Sequence, residues 1–334
     1  MLRLRAERFL RSQWDVRGVV LSPRNGVADI LAAVLSGKYR RSALDSGSVI
    51  DTERKVRAAV AEGRPIGFSV PFGGYKCWRV QSAPHLNWAE IFALSYLRGY
   101  GESIAERFSG GVTFSLSYCS GILDQVSNMP LEWQQQYLDE LAAVLRKLSD
   151  SAVNFVLKDI AECYEGHGYL MEEFERNWTI VKEKWSRPED RDAVKKRLAS
   201  ARNNFVVVGV KDYSMASDRE IEEAIIVSAQ KCEALDSLEK RRRFNKYSDN
   251  IQLVYVRGPA PAIHIGSCRT SANHFAMGEG VIEIAGEELV ARIVTSGNWQ
   301  SAKSVGTLEI MDDLDESIKC GLAGLSNCKI IGKG

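Results

Sequence analysis

Lys76 closes the run Val70-Pro71-Phe72-Gly73-Gly74-Tyr75-Lys76. Adjacent glycines let a backbone come close to an anionic ligand, and a lysine at the end of such a loop can hold a phosphate or enter imine chemistry. An ordinary tight turn accounts for the same residues. Fourteen positions further on, Glu90 stands in the first turn of an apolar segment, beside Asn87 and Trp88. A carboxylate there complements a helix dipole or, in a cleft, positions an amine and moves protons, with the neighbours as a polar and an aromatic wall. Arg241-Arg242-Arg243, followed by Tyr247-Ser248, is the densest basic point. It fits a solvated helix end, or a guanidinium clamp on a phosphate or carboxylate. Among four histidines, His274 sits in the polar turn Thr270-Ser271-Ala272-Asn273-His274-Phe275 next to Gly278-Glu279-Gly280, the best setting for proton transfer. His264 alternates with Ile263 and Ile265 and reads as a packed or solvent-facing strand residue, while His85 and His167 fall in loops.

Several chemistries are missing. No GxxxxGK[ST] or GxGxxG loop cradles a nucleotide phosphate, and no GxSxG elbow presents a serine. No pair of histidines or cysteines has the spacing of metal ligands. Seven scattered cysteines without a CxxC pair point to reduced thiols and a cytoplasmic setting. The start, Met1 to Arg11, has no apolar core of a secretory signal, and no run reaches the length of a membrane span. A net charge of +1 over 334 residues argues against nucleic acid as a partner.

The elements around these residues alternate. Asp51 to Gly63 opens acidic and closes on glycine, which predicts a helix with a C-cap. Pro65 to Val70 is a short β-prone run feeding the glycine loop. An apolar helix over 88–108, a strand over 112–118, a helix begun at Asn128-Met129-Pro130 and a strand over 153–157 follow. Leu138, Leu141, Leu145 and Leu148 mark that helix's buried face. This order predicts an α/β fold, a Rossmann-like, mainly parallel sheet with helices on both faces, whose ligands lie at the carboxyl ends of the strands. About half of the residues over 172–202 are charged with signs interleaved, the texture of solvated helices covering a core or of a partner-binding arm. Val206-Val207-Val208 suits either a strand or a buried helix, and a helix is expected over 218–241. Short β-rich runs over 251–257, 262–267, 281–284 and 288–295 suggest an antiparallel extension of the sheet. The expected organisation is an α/β core over 1–210, with the charged helical segment inside it, and a C-terminal helix and β-rich region over 211–334 continuous with that core.

In order and spacing these residues resemble the isocyanide (isonitrile) synthase family, which includes pyoverdine-associated and spore-wall dityrosine enzymes. The landmarks are Pro71-Phe72 and Lys76, Pro84, Asn87-Trp88-Ala89-Glu90, Phe108-Ser109-Gly110-Gly111, Tyr137-Leu138, Arg242-Arg243 with Tyr247-Ser248, Ile251-Gln252-Leu253, and Ala272-Asn273-His274. The likeness runs from about residue 60 to 295. Three departures bear on substrate more than on fold: the lysine stands behind Gly-Gly-Tyr, Phe244 follows the arginines in place of a polar residue, and Ala272-Asn273 stand where the family has Pro-Trp.

The resemblance implies a C–N bond-forming enzyme of specialised metabolism that joins an amino acid amine to ribulose 5-phosphate and leaves one sugar carbon on nitrogen as an isocyanide. It implies Lys76, Glu90, Tyr247 and His274 as catalytic residues. Phe72, Gly73, Gly74, Tyr75, Trp88, Arg242, Arg243, Ser248 and Asn273 would contact substrate, with no metal or other cofactor expected. It also implies a place ahead of an iron- and 2-oxoglutarate-dependent oxygenase. Two other readings stay open: a nucleotide- or S-adenosylmethionine-binding enzyme on a Rossmann-like sheet, and a non-catalytic interaction protein on the same fold.

Overall fold

The computed structural model describes residues 2–16, 18, 26–73, 76, 80, 82–119, 121–164, 166–246, 249–255, 261–266, 278–295, 304–309, 322–325 and 327–332; at 3, 239–246, 295, 304–309 and 323 it describes the backbone alone. Helices α1 (Leu2–Trp14), α2 (Val27–Val34) and α3 (Ser46–Glu62) precede strand β1 (Ile66–Gly73). Then come α4 (Trp88–Ala105), β2 (Val112–Tyr118), α5 (Leu123–Ser127), α6 (Leu131–Leu148) and β3 (Val153–Asp159). Three helices follow, α7 (His167–Trp185), α8 (Arg191–Asn204) and α9 (Asp218–Lys246). The chain ends in β4 (Ile251–Val254), β5 (Ile263–His264), β6 (Gly278–Ala285), β7 (Glu288–Thr295), β8 (Ser304–Glu309) and β9 (Asn327–Gly332).

Five strands make a parallel sheet in the order β3-β2-β1-β4-β5, and the last four make a separate mixed sheet in the order β7-β6-β9-β8. The α/β fold with a parallel central sheet is thus as the alternating pattern predicts. Ile251–Val254 and Ile263–His264 join that sheet in parallel instead of antiparallel, and among the described strands the antiparallel pairing lies in the second sheet, between β6 and β7 and between β8 and β9. Hydrophobic patterning marks a strand but does not name its neighbour. One apolar core nonetheless includes residues of both sheets, Ile282, Ala291, Ile293 and Ile330 together with Phe68, Phe114 and Leu253.

Two faces of the parallel sheet differ in chemistry. Phe155, Phe114 and Phe68 stand side by side in register, their rings stacked with centroids 5.3 and 5.2 Å apart, and Ile251 continues the row. Helix α4 packs here, with Tyr100 5.4 Å from Phe68 between ring centroids, and Leu141, Val144, Leu145 and Leu148 of α6 join the same core. The opposite face of the same strands carries Ser69, Ser115 and Gln252 in one row.

Helix ends follow local chemistry, with differences at the boundaries. Helix α3 starts earlier than its acidic segment suggests, because Asp45 caps it by accepting from the Ser48 N–H at 2.8 Å, and it ends on Gly63 in the left-handed region (φ 63°). Asn128 closes α5 in a left-handed conformation, so α6 begins only after Pro130. Val208 pairs with Asp212 in an isolated bridge, neither strand nor helix. The charged segment forms α7 and α8, and both pack on α9 through ion pairs, Lys184 to Glu233 at 2.7 Å and Arg197 to Asp236 at 2.6 Å.

Arg98, buried in α4, ties one corner of the core. It donates to the Leu148 carbonyl at the end of α6, pairs with Asp150 at 2.6 Å and with Glu102 at 2.8 Å. Burial acts to raise the Asp150 carboxyl, yet Arg98 and the N–H groups of Val153 and Ala152 outweigh it and hold the carboxyl below its usual 3.8. Stability from this carboxylate is therefore present above that value and lost as pH falls through its lowered one. Arg98→Met is expected to cost about 3 kcal/mol at pH 7, because a buried cation is removed from partners that still reach some water. Urea unfolding checks it: the deficit should shrink at acid pH, and a loss the same at both pH values would contradict the ion-pair account.

Candidate functional site

Lys76 lies beyond the carboxyl end of β1, the middle strand of the parallel sheet, and Glu90 lies in the first turn of α4, whose N-terminus faces that end. The Lys76 ammonium donates to both Glu90 oxygens, at 2.7 and 2.8 Å, and both side chains have no solvent exposure. The local sequence makes this placement. Asn87 caps α4 by accepting from the Ala89 N–H at 2.6 Å, and Glu90 accepts in return from the Asn87 N–H at 2.8 Å, a capping box. One carboxylate therefore serves both a helix end and a lysine. Tyr137 of α6 donates its hydroxyl to Glu90 Oε1 at 3.2 Å. Burial pushes the Glu90 carboxyl above its ordinary 4.5, against the opposing pull of Lys76. A buried carboxyl held by an ammonium, a phenol and a backbone N–H can take up or give up a proton inside the fold.

A second carboxylate stands one turn further along α6. Glu140, 8% exposed at its side chain, accepts from the Leu86 N–H at 3.0 Å and lies 2.6 Å from Nδ1 of His85, whose side chain is 29% exposed. Gln136 places its amide nitrogen 3.1 Å from the same Nδ1. A carboxylate on Nδ1 fixes an imidazole's orientation and leaves Nε2 directed away from it. Glu279 of β6 holds the same segment from the other side, accepting from the Ser82 N–H at 3.1 Å and from the Asn87 amide. Gly280 beside it lets the second sheet touch the start of α4, since a Cβ there would collide with the backbone of Trp88 and Ala89. The residues Gly278-Glu279-Gly280, read from sequence as turn neighbours of His274, are the start of β6.

No protein-family model matches the chain, and a search of curated proteins found no match. Among solved structures, the crystal structure of the PvcA protein from Pseudomonas aeruginosa superposes with a TM-score of 0.53 at 15% identity, over 84% of this chain and 96% of that one. The chain shares the fold of PvcA. At this identity the likeness is one of architecture, spanning nearly the whole of PvcA.

Within this PvcA-like fold, the structure brings Lys76 and Glu90 into direct contact. Phe72 and Trp88 lie in the apolar core, each 1% exposed, and the Trp88 indole donates to the Leu325 carbonyl at 3.2 Å. Gly73 ends β1 opposite Tyr118. Arg242 and Arg243 belong to the last turns of α9, with backbone alone described. Gly74, Tyr75, Tyr247, Ser248, Asn273 and His274 lie outside the described residues. Among the described residues no group of three or more His, Cys, Asp or Glu side chains is placed to hold a metal ion, and no helix is long and apolar enough to cross a membrane. Cys328, at 1% exposure, carries a free thiol that burial pushes up to about 12.

Sequence reading missed His85, Glu140 and Glu279, and noticed Tyr137 only as a landmark. A signal existed for two of them. Tyr137 and Glu140 are three apart on α6, hence on one helix face, with the buried Leu141 beside them.

Proposed function

We propose that the protein is an isocyanide synthase-like enzyme, condensing the amine of an amino acid with a ketose phosphate such as ribulose 5-phosphate. We read PvcA as a representative of the family that the sequence landmarks resemble. The observation that carries the proposal is the fully buried Lys76–Glu90–Tyr137 cluster at the carboxyl end of β1, where open parallel sheets bind their ligands.

The chemistry asks for proton transfer at each step. Attack of an amine on a ketone requires a proton to leave nitrogen and one to reach oxygen before water departs, and C–C cleavage then requires a base at a sugar hydroxyl. Glu90, with its raised carboxyl, is the group to exchange those protons, and Tyr137 passes hydrogen bonding to it. Lys76 donates to both Glu90 oxygens, which favours the carboxylate once its proton has left. His85, oriented by Glu140, is a second proton carrier on the neighbouring turn. Arg242 and Arg243, at the end of α9, are the cations assigned to the sugar phosphate and the amino acid carboxylate.

Incubation with ribulose 5-phosphate and a panel of amino acids, followed by tetrazine trapping and mass spectrometry, tests this. The expected result is a product in which the amino nitrogen has gained one carbon. A protein that binds a nucleotide or S-adenosylmethionine in calorimetry, while yielding no isocyanide across the panel, would overturn the reading.

A further inference from the structure

Residues 39–42 run alongside β5, the last strand of the parallel sheet. Arg40 pairs with Ile265 in an isolated antiparallel bridge, the Arg41 N–H donates to the His264 carbonyl at 2.9 Å, and the Gly266 N–H donates to the Tyr39 carbonyl at 3.0 Å. These backbone bonds hold Ser42 against His264, the final residue of β5. Tyr255 follows the final residue of β4, so all three meet at the carboxyl edge of the sheet, where ligands of such folds lie. Ile263 and Ile265 are buried in the core shared with α4, and strand alternation puts the His264 side chain on the other face. The place is two strands away from β1, apart from Lys76 and Glu90.

The His264 ring has a determined tautomer. Its Nε2 lies 2.8 Å from the Tyr255 carbonyl oxygen, which can only accept, so Nε2 carries the hydrogen. Nδ1 of the neutral ring is then a bare acceptor, and the Ser42 hydroxyl, 3.3 Å away, is its donor. A hydroxyl on a base whose other nitrogen is held by a third group is the arrangement of an activated nucleophile. Ser42 and His264 are both half-buried and keep contact with solvent. Arg40 adds a second feature. Also half-buried, it donates to the Ser36 and Ser42 carbonyls at 3.4 Å each, and among the described residues it has no carboxylate partner. A guanidinium with N–H groups to spare beside a nucleophile suits an anionic substituent. Nothing local announces this pair, since Ser42 sits in no elbow motif and lies 222 positions from His264.

We propose that Ser42 and His264 form a second reactive centre, a nucleophilic dyad that takes acyl groups from carboxylic esters whose acyl chain ends in an acid, with Arg40 on that acid. The Ser42 proton passes to Nδ1 as Oγ bonds to the acyl carbon and the carbonyl electron pair moves onto oxygen. That pair returns to expel the alkoxide, which leaves with the proton from Nδ1, and an acyl-serine remains. Water repeats the sequence with Nδ1 as base, releasing the carboxylic acid and restoring the serine. The Tyr255 carbonyl holds the Nε2 hydrogen throughout and favours the imidazolium formed in each half. This centre stands independently of the synthase reading.

Labelling of the full chain with a fluorophosphonate, mapped by peptide mass spectrometry, and hydrolysis of p-nitrophenyl acetate and of the mono-p-nitrophenyl ester of glutaric acid test it. The probe should modify Ser42 ahead of every other serine. Ser42→Ala should lose labelling at this peptide and most of both hydrolyses, and His264→Gln should slow all three by about 10²-fold or more. Arg40→Gln should raise KM for the glutarate ester about tenfold and leave the acetate ester and the labelling unchanged. A thermal melt of each variant separates chemistry from folding. A hydroxyl that merely ties residues 39–42 to β5 predicts a lower melting temperature in Ser42→Ala and no labelling of Ser42 in the parent, and that result would overturn the dyad. Hydrolysis that survives Ser42→Ala would overturn it too. Should a variant fail to fold, the labelling of the parent still decides, because it needs no substitution. Equal KM changes for the two esters in Arg40→Gln would overturn the preference for an acid-terminated acyl chain.

Discussion

Lys76→Met is expected to lower stability by about 3–5 kcal/mol at pH 7, the usual cost of leaving one member of a buried ion pair without the other. The Glu90 carboxylate would then sit in the core with a phenol and a backbone N–H but no cation. Burial already raises this carboxyl above 4.5, and removing the opposing ammonium raises it further. A carboxyl raised in the folded state is no burden below its unfolded value and becomes one as pH climbs through the folded value. The deficit of Lys76→Met should therefore be large at pH 7 and small near pH 4. Lys76→Met combined with Glu90→Gln should recover most of the loss, since glutamine keeps the capping box and carries no charge. Urea unfolding of parent, single and double variants at both pH values checks this. A deficit below about 1 kcal/mol, the scale of an exposed pair, would mean that water reaches Lys76 and Glu90.

Residues brought together by one strand, one loop and one helix were legible in the sequence. Lys76 and Glu90 belong to the same β1-to-α4 connection, and a strand that ends at the ligand edge must hand the chain to a helix starting there. Their contact is a local consequence of the alternating pattern. The capping box needed only Asn87 and Glu90 at a spacing of three.

Contacts between distant segments were not legible, for a physical reason in each case. Glu140 lies on an amphipathic helix, where a glutamate reads as solvated; it is buried because the segment before α4 folds over it and supplies the Leu86 N–H and His85. Glu279 looked like part of a glycine-rich turn, and only the approach of β6 to α4 reveals it as a partner of Asn87. Ile251-Gln252-Leu253 reads as a plain β-rich run, and nothing local says that it pairs in parallel with β1 and turns Gln252 to the same face as Ser69. Trp88, read as an aromatic wall, has its ring in the core because its neighbours Phe92, Leu94 and Leu97 bury nearly every side of α4.

Glu90→Gln is expected to slow isocyanide formation by about 10² to 10⁴-fold, the usual contribution of a positioned acid or base. Glutamine keeps one acceptor oxygen, which in place of Oε2 still accepts from Lys76 and from the Asn87 N–H and closes the capping box, while its amide NH2 in place of Oε1 can donate to the Tyr137 hydroxyl, so the fold should persist and sugar affinity should change by no more than a few fold. What it cannot do is exchange a proton. For the parent, a step that uses Glu90 as base should gain rate as pH rises through the carboxyl's folded value, and that limb should lie above 4.5 because burial raises the group. The variant should show no such limb. Single-turnover rates across pH, with ribulose 5-phosphate and the amino acid the parent accepts, measure both the loss and the limb. His85→Gln serves as the contrast, because its imidazole is partly exposed and sits on Glu140 rather than on Glu90. Should Glu90→Gln stay within tenfold of the parent and keep the limb, while His85→Gln loses both, the proton carrier is the His85–Glu140 pair and the buried Lys76–Glu90 pair holds the frame.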